Sequence, residues 1–175
     1  ELAERAKTIA GGKGRILQIA ATAAIGSTLI PKALARIGAS LPPEVHVAQL
    51  SPSAVAQDVR AGRGDLGFSS LPLDTPGLEV LRLYSAPDVV ALHADDPLAA
   101  RPVVPLAALS GRALATMLDP LRFQGRIARV MEAHGIAPAS FLRTNVAVGA
   151  LQMVREMRVA AIVDPLTAHG CALPG

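Results

Sequence analysis

The sequence predicts an α/β protein of two lobes with parallel-rich sheets, and three observations carry that prediction. Runs rich in Val, Ile, Leu and Ala alternate with segments of helical periodicity, the order that lays helices on the faces of parallel strands. Glycines and prolines punctuate nearly every boundary. The alternation breaks off near the middle of the 175 residues and then restarts, which implies two lobes in series.

Glu1 to Ala10 reads as the tail of a helix that Gly11 and Gly12 end. Arg15 to Ala21 is the first strand, followed by a turn at Ile25-Gly26 and a helix opened by Ser27. Leu29, Ile30, Ala33, Leu34 and Ile37 form the inward face of that helix, and Gly38 closes it. Val45 to Leu50 is the second strand. Ser51-Pro52-Ser53 starts a helix over Ala54 to Ala61 that buries Val55 and Val59 and stops at Gly62. Asp65 to Ser69 is a short strand, Leu71 to Gly77 an irregular loop, and Leu78 to Tyr84 and Pro87 to His93 two strand-like runs around Ser85-Ala86, where the chain leaves one lobe. The second half reads as a short helix at Pro105 to Leu109 and a strand at Arg112 to Met117. A helix over Phe123 to His134 follows, with Phe123, Ile127, Val130 and Met131 inward and Gly135 as its stop. Phe141 to Thr144, Ala147 to Met157 and Val159 to Val163 supply a strand, a helix and a strand.

Composition narrows the function classes. The chain is 51% hydrophobic but only 2% aromatic, so its interior is built from Ala, Val, Leu and Ile. Its 17 Lys and Arg are scattered among 14 Asp and Glu, and no basic tract points to nucleic-acid contact. Cys171, the single cysteine, excludes an internal disulfide and a cysteine-based zinc site. The apolar stretch from Ile16 to Ile30 is interrupted by Gln18, Thr22, Gly26, Ser27 and Thr28, too polar and short for a membrane span. Glu1, Glu4, Arg5 and Lys7 lack the pattern of a signal peptide, so the expected location is the cytoplasm; the missing initiator Met raises the expectation of a fragment.

In open parallel sheets, ligands bind beyond the carboxyl ends of the strands, where helix N-termini present unpaired N–H groups. Those ends here carry Ser27 and Thr28, Ser51 and Ser53, and Ser69 and Ser70. In the second half they carry Asp119, Arg122, Thr144, Asn145 and the Asp164-Pro165-Leu166-Thr167 turn. Taken singly, each Ser or Asn reads first as a helix N-cap that satisfies orphan amides. Arg122 reads either as a fork for a ligand carboxylate or as a solvated first-turn arginine. Asp164 either pairs with a ligand amine or caps the last helix ahead of Pro165. As a set, small polar groups converging from both halves fit a ligand site.

Other motifs carry no chemistry. Gly11-Gly12-Lys13-Gly14 precedes a strand instead of joining strand to helix, which excludes a dinucleotide fingerprint or P-loop. His46, His93, His134 and His169 lie in unrelated elements without metal-ligand spacing, and Arg63-Gly64-Asp65 falls where a turn needs glycine. No nucleophile sits with a base, so neither catalysis, metal nor cofactor is expected.

With the elements placed, four stretches, Gly14 to Leu34, Asp58 to Phe68, Asp96 to Ala99 and Val163 to Ala168, carry a resemblance to the LysR-type transcriptional regulators that runs over essentially the whole chain. Gly14 through Ile30-Pro31 to Leu34 is similar to the family's first strand and helix, and Asp58-Val59-Arg60-Ala61-Gly62-Arg63-Gly64-Asp65-Leu66-Gly67-Phe68 to its most recognisable stretch. Asp96-Pro97-Leu98-Ala99 stands at its His-Pro-Leu-Ala, and Val163-Asp164-Pro165-Leu166-Thr167-Ala168 resembles the Val-Asn-Pro-Leu-Thr-Ala of the branch that senses amino acids and opines. The resemblance implies a periplasmic-binding-protein-like fold with an effector (an amino acid, opine or other carboxylate) held between two lobes. It also implies homodimers assembling into tetramers, no membrane, and DNA contact only through an N-terminal helix-turn-helix outside this chain. On that pattern, residues 1–12 end a linker helix, 13–86 form lobe I, 87–168 form lobe II, and 169–175 begin a return to lobe I whose remainder lies beyond the chain. Carried over position by position, the effector site comprises Ser27, Thr28, Ser53, Ser69, Ser70, Asp119, Phe123, Asn145, Val146 and Asp164. The competing expectations are a solute-binding protein serving transport on a similar fold and, from a third class, an enzyme on a two-lobed scaffold.

Overall fold

A computed structural model describes residues 16–118 and 123–171. They form seven strands and five α-helices: β1 Leu17–Ala21, α1 Ala23–Ile37, β2 Val45–Gln49, α2 Pro52–Arg60, β3 Leu66–Phe68, β4 Val89–Ala91, β5 Ala113–Met117, α3 Phe123–Ala133, β6 Ser140–Thr144, α4 Ala147–Met157, β7 Ala160–Val163 and α5 Pro165–Gly170. The chain divides into two compact units at Ser85 and Ala86. The helix expected over Glu1 to Ala10 lies outside the described residues, as do residues 172–175.

The first unit holds a three-stranded parallel sheet in the order β2-β1-β3. Leu17, Ile19 and Ala21 bury one face against Ile30, with Ile25 and Leu34 beside them. The opposite face takes α2, where Val55 and Ala56 are buried. The glycine-rich stretch before β3 is legible in physical terms. Gly62 adopts φ +70°, which ends α2, and Asp65 accepts the amide of Gln18 at 2.9 Å, which starts the β1–β3 pairing. At Gly67 a Cβ would stand 2.8 Å from Val59 Cγ2, so α2 packs this close to β3 only over a glycine.

The second unit holds a four-stranded sheet, β4-β7-β5-β6, parallel except for β4. Two cores flank it. Ala115, Ala161 and Val163 meet Ala150 and Val154 of α4, while Leu114, Ala160 and Ile162 meet Met131 and Ile127 of α3. At its amino edge Asp96 accepts the Leu98 amide at 2.9 Å and pairs with Arg112 ahead of β5, fastening the Asp-Pro-Leu-Ala loop to the sheet.

Three local expectations are corrected. The first helix opens at Ala23, four residues before Ser27, because Ala23, Ala24 and Ile25 favour helix and Gly26 is the close-packing residue of its first turns, not a turn of its own. A Cβ on Gly26 would stand 3.2 Å from Gln49 Cγ. Among the described residues Leu78 to Tyr84 joins no sheet, and Val80, Leu83 and Tyr84 are exposed. Leu29 and Val130 face outward, since each helix buries a narrower stripe than its apolar content allows.

Candidate functional site

Backbone bonds level the strand ends of the first unit. Thr22 N donates to Phe68 O at 3.0 Å and Leu50 N to Ala21 O at 2.9 Å, so Thr22, Leu50-Ser51 and Ser69 leave the sheet side by side. The helices that follow end differently. Ser51 caps α2 by accepting the Ala54 amide, whereas Thr22 at the N-cap of α1 makes no side-chain capping bond. The first amides of α1 therefore face the strand ends as open donors, with the positive end of the helix dipole behind them. Next to this end, Ser69 Oγ is buried without a hydrogen-bond partner. Ser70 follows it, exposed.

The other nominated groups of this unit are placed as follows. Ser27 lies in the second turn of α1, where its hydroxyl accepts from Gln49 Nε2 at 2.9 Å. Thr28 is 4% exposed and donates to Ala24 O at 2.7 Å, a bond within its own helix. Ser53 is exposed, its hydroxyl 3.3 Å from that of Ser51. Thr22 and Gln49 are strand-end polar groups that sequence reasoning missed. Their signal was available: Thr22 directly follows β1 and Gln49 is the last residue of β2.

In the second unit Leu118 N donates to Thr144 O at 2.8 Å, which levels the ends of β5 and β6. The Thr144 hydroxyl accepts the Val146 amide at 3.1 Å and holds the turn into α4, leaving Asn145 exposed at its tip. Val146, the N-cap of α4, offers no side-chain cap, so α4 opens as α1 does. Asp164 does cap α5: its carboxylate accepts the Thr167 amide at 2.8 Å and the Thr167 hydroxyl at 2.6 Å. Across the β4–β7 ladder stands Asp88, also missed in the sequence. Burial pushes its carboxyl above the usual range, Asp164 adds to that, and Arg126 at 4.0 Å opposes it. Phe123 opens α3; Asp119 and Arg122 lie outside the described residues.

The strand ends thus offer hydroxyls and open amides in the first unit, and open amides beside two carboxylates in the second. Such donors suit an anion or a neutral polar group. Among the described residues no cluster of three His, Cys, Asp or Glu could hold a metal, and no helix is long and apolar enough to cross a membrane.

The profile of the family described as "LysR substrate binding domain" matches residues 10–172. The chain belongs to the LysR substrate-binding domain family. Solved structures share its fold at low identity. The BenM effector binding domain with its effector benzoate is 20% identical, with a TM-score of 0.68, and the match covers 88% of this chain and 72% of that one. The regulatory domain of Synechocystis PCC6803 CcmR in complex with 2-PG is 18% identical, with a TM-score of 0.68 and coverage of 91% and 76%. Full-length CbnR complexed with its target DNA is 20% identical, with a TM-score of 0.70; the match covers 95% of this LysR substrate-binding domain and 60% of CbnR. The α/β fold with parallel-rich sheets expected from the sequence is the periplasmic-binding-protein-like fold of these neighbours.

Proposed function

We propose that this LysR substrate-binding domain senses a small organic effector bearing a carboxylate, performs no chemistry on it, and controls transcription through a helix-turn-helix of the full-length regulator. The observation that carries this reading is the open N-terminus of α1 beside Ser69 Oγ, a buried hydroxyl without a partner. Open helix amides, with about half a positive charge behind them, favour a carboxylate, and the hydroxyl supplies a further bond. Within the first unit the proposed effector contacts are the carboxyl ends of the strands, where Ser69 and Ser70 follow β3 and Ser27 lies in the second turn of α1; Asn145 and Val146 are the corresponding proposed contacts of the second unit. Benzoate is a carboxylate, in keeping with this chemistry, although it belongs to the BenM domain.

Within that class, amino acids and opines are the proposed effectors, supported by the resemblance of Val163 to Ala168 and by the acidic pair Asp88 and Asp164. Effector binding shifts the population between conformations that differ in promoter affinity. Dimers assembling into tetramers in the cytoplasm are the proposed working form.

A thermal-shift panel of amino acids, opines and simple carboxylates tests the reading. A ligand at a hundredfold excess over its Kd stabilises the native state by about 2.7 kcal/mol, a readily measured rise in melting temperature. A flat response across the panel, confirmed by calorimetry, overturns the sensor reading, and turnover of a bound compound overturns the absence of chemistry.

A further inference from the structure

We infer that Arg60 is a positioning residue for the effector end of the first unit: from the last turn of α2 it ties down the segment that begins with Ser69 and Ser70, and so holds the Ser69 hydroxyl in place beside α1. The inference rests on the sensor reading above and adds to it a residue that acts on the effector through another.

Both ends of the segment are fastened. At its start Thr22 N donates to Phe68 O at 3.0 Å, so Ser69 leaves the sheet next to the first turn of α1. At its far end Arg60 Nε donates to Pro76 O at 3.0 Å and Nη2 to Asp74 O at 3.2 Å, with the Asp74 carboxylate 3.6 Å from Nη2. Asp74 is 79% exposed, so that ion pair adds little and the two carbonyl bonds carry the tie. Two acceptors taken at once use the planar fork of the guanidinium, which the single ammonium of a lysine does not reproduce. Leu78 N donates to Thr75 O at 2.9 Å and Gly77 takes φ +77°, which closes a turn against the same side chain. A Cβ on Gly77 would stand 3.9 Å from Arg60 Nε.

The span between the fastenings makes them matter to Ser69. Ser51 starts α2 at the carboxyl edge, and the nine residues of the helix carry the chain about 13 Å away from that edge to Arg60. The five steps from Ser69 to Asp74 reach about 17 Å at full extension, which leaves no room for large excursions once Asp74 is held. Beyond the turn, Leu78 to Tyr84 pairs with no strand among the described residues, so the grip of Arg60 stands where a ladder would otherwise fix the chain.

The orphaned hydroxyl supplies the reason for a tie. A buried Ser69 Oγ without a partner disfavours its own position. A loose segment would move to give that oxygen water or a carbonyl; a segment held at its other end resists this, and the hydroxyl stays available to an effector.

Two measurements on the whole chain test this. In hydrogen exchange read by peptide mass spectrometry, Arg60→Gln should speed exchange of the amides of residues 69–78 about fivefold, Arg60→Lys less, with β1 and β2 unchanged. In calorimetry with benzoate, glutamate and 2-oxoglutarate, each compound that binds wild type should bind Arg60→Gln about fivefold more weakly and Arg60→Lys at an intermediate affinity. Added to Ser69→Ala, Arg60→Gln should change affinity by less than about twofold, because its effect passes through the missing hydroxyl. Unchanged exchange in residues 69–78, an affinity that Arg60→Gln leaves intact, or a loss of the same size with and without Ser69 overturns the positioning role while sparing the sensor reading. No binding of any of the three compounds to wild type removes both.

Discussion

Gly67→Ala is the sharpest test of how the first unit is assembled. The added Cβ would meet Val59 Cγ2 at 2.8 Å and Val55 Cγ1 at 3.1 Å, both on α2. Val55 is 2% exposed and has nowhere to go; Val59 is half-buried and can yield a little. Overpacking of this kind costs about 1–3 kcal/mol. Against it stands the loss of glycine's freedom in the unfolded chain, which favours alanine by up to about 1 kcal/mol. The clash outweighs that gain, for a net destabilisation of about 1–2 kcal/mol, or roughly five- to thirtyfold in an opening equilibrium. Amide hydrogen exchange read by peptide mass spectrometry localises the effect: β1 and β3 should lose protection by that factor while β5 and β7 do not change. Pairing the substitution with Val59→Ala should recover part of the loss, giving a favourable coupling between the two sites. A Gly67→Ala variant as protected as wild type, or strictly additive with Val59→Ala, would refute the close-packing argument.

Two further outcomes follow from the hydrogen bonds. The Arg112 side chain, and after it the Leu98 amide, hold the Asp96 carboxyl below its ordinary value of 3.8. Stability from a depressed carboxyl is present above the unfolded value and is lost as pH falls through the folded one, so the loss begins near pH 4 and continues downward. Asp96→Asn should therefore be less stable than wild type at pH 7 and show a shallower fall below pH 4 in urea titrations; parallel pH profiles would reject the assignment. Ser69→Ala removes a buried hydroxyl without a partner, so the ligand-free variant should be more stable than wild type and melt a few degrees higher. Its effector affinity should drop about tenfold, the worth of one hydrogen bond. A variant that loses stability yet binds effector as wild type does would reverse the role given to Ser69.

The sequence was most legible where local chemistry and packing agree. Ser51 before Pro52, Gly62 after α2 and Asp164 before Pro165 each put the cap or stop where it was expected, because capping depends on neighbours only a few residues away. It was least legible where a distant strand decides. Gly26 looked like a turn because its close approach to Gln49, 23 positions away in the chain, is invisible to periodicity. The run from Leu78 to Tyr84 has strand composition, yet among the described residues it pairs with no strand, a fact about the sheet and not about the run. For the proposed site, the strand-end positions of the serines were legible from spacing alone. Asp88 was not, since only the antiparallel β4–β7 pairing brings it to Asp164.

That difference bears on what the strand-end polar groups are for. If they served only to cap helices, the amide ends of α1 and α4 would be closed by their neighbouring side chains. Instead each unit closes one helix, through Ser51 or Asp164, and leaves another open next to polar groups of its own. Ser69 keeps a buried hydroxyl beside the open α1, and Thr116 keeps one beneath the acidic pair. Each such group lowers the stability of the ligand-free domain by about 1–3 kcal/mol. A fold that needed only stability would exchange Thr116 for valine, which fits the same space without the hydroxyl. Unsatisfied polar groups at the carboxyl edges, among strand ends that are otherwise tightly bonded, support the proposed binding site over a set of caps.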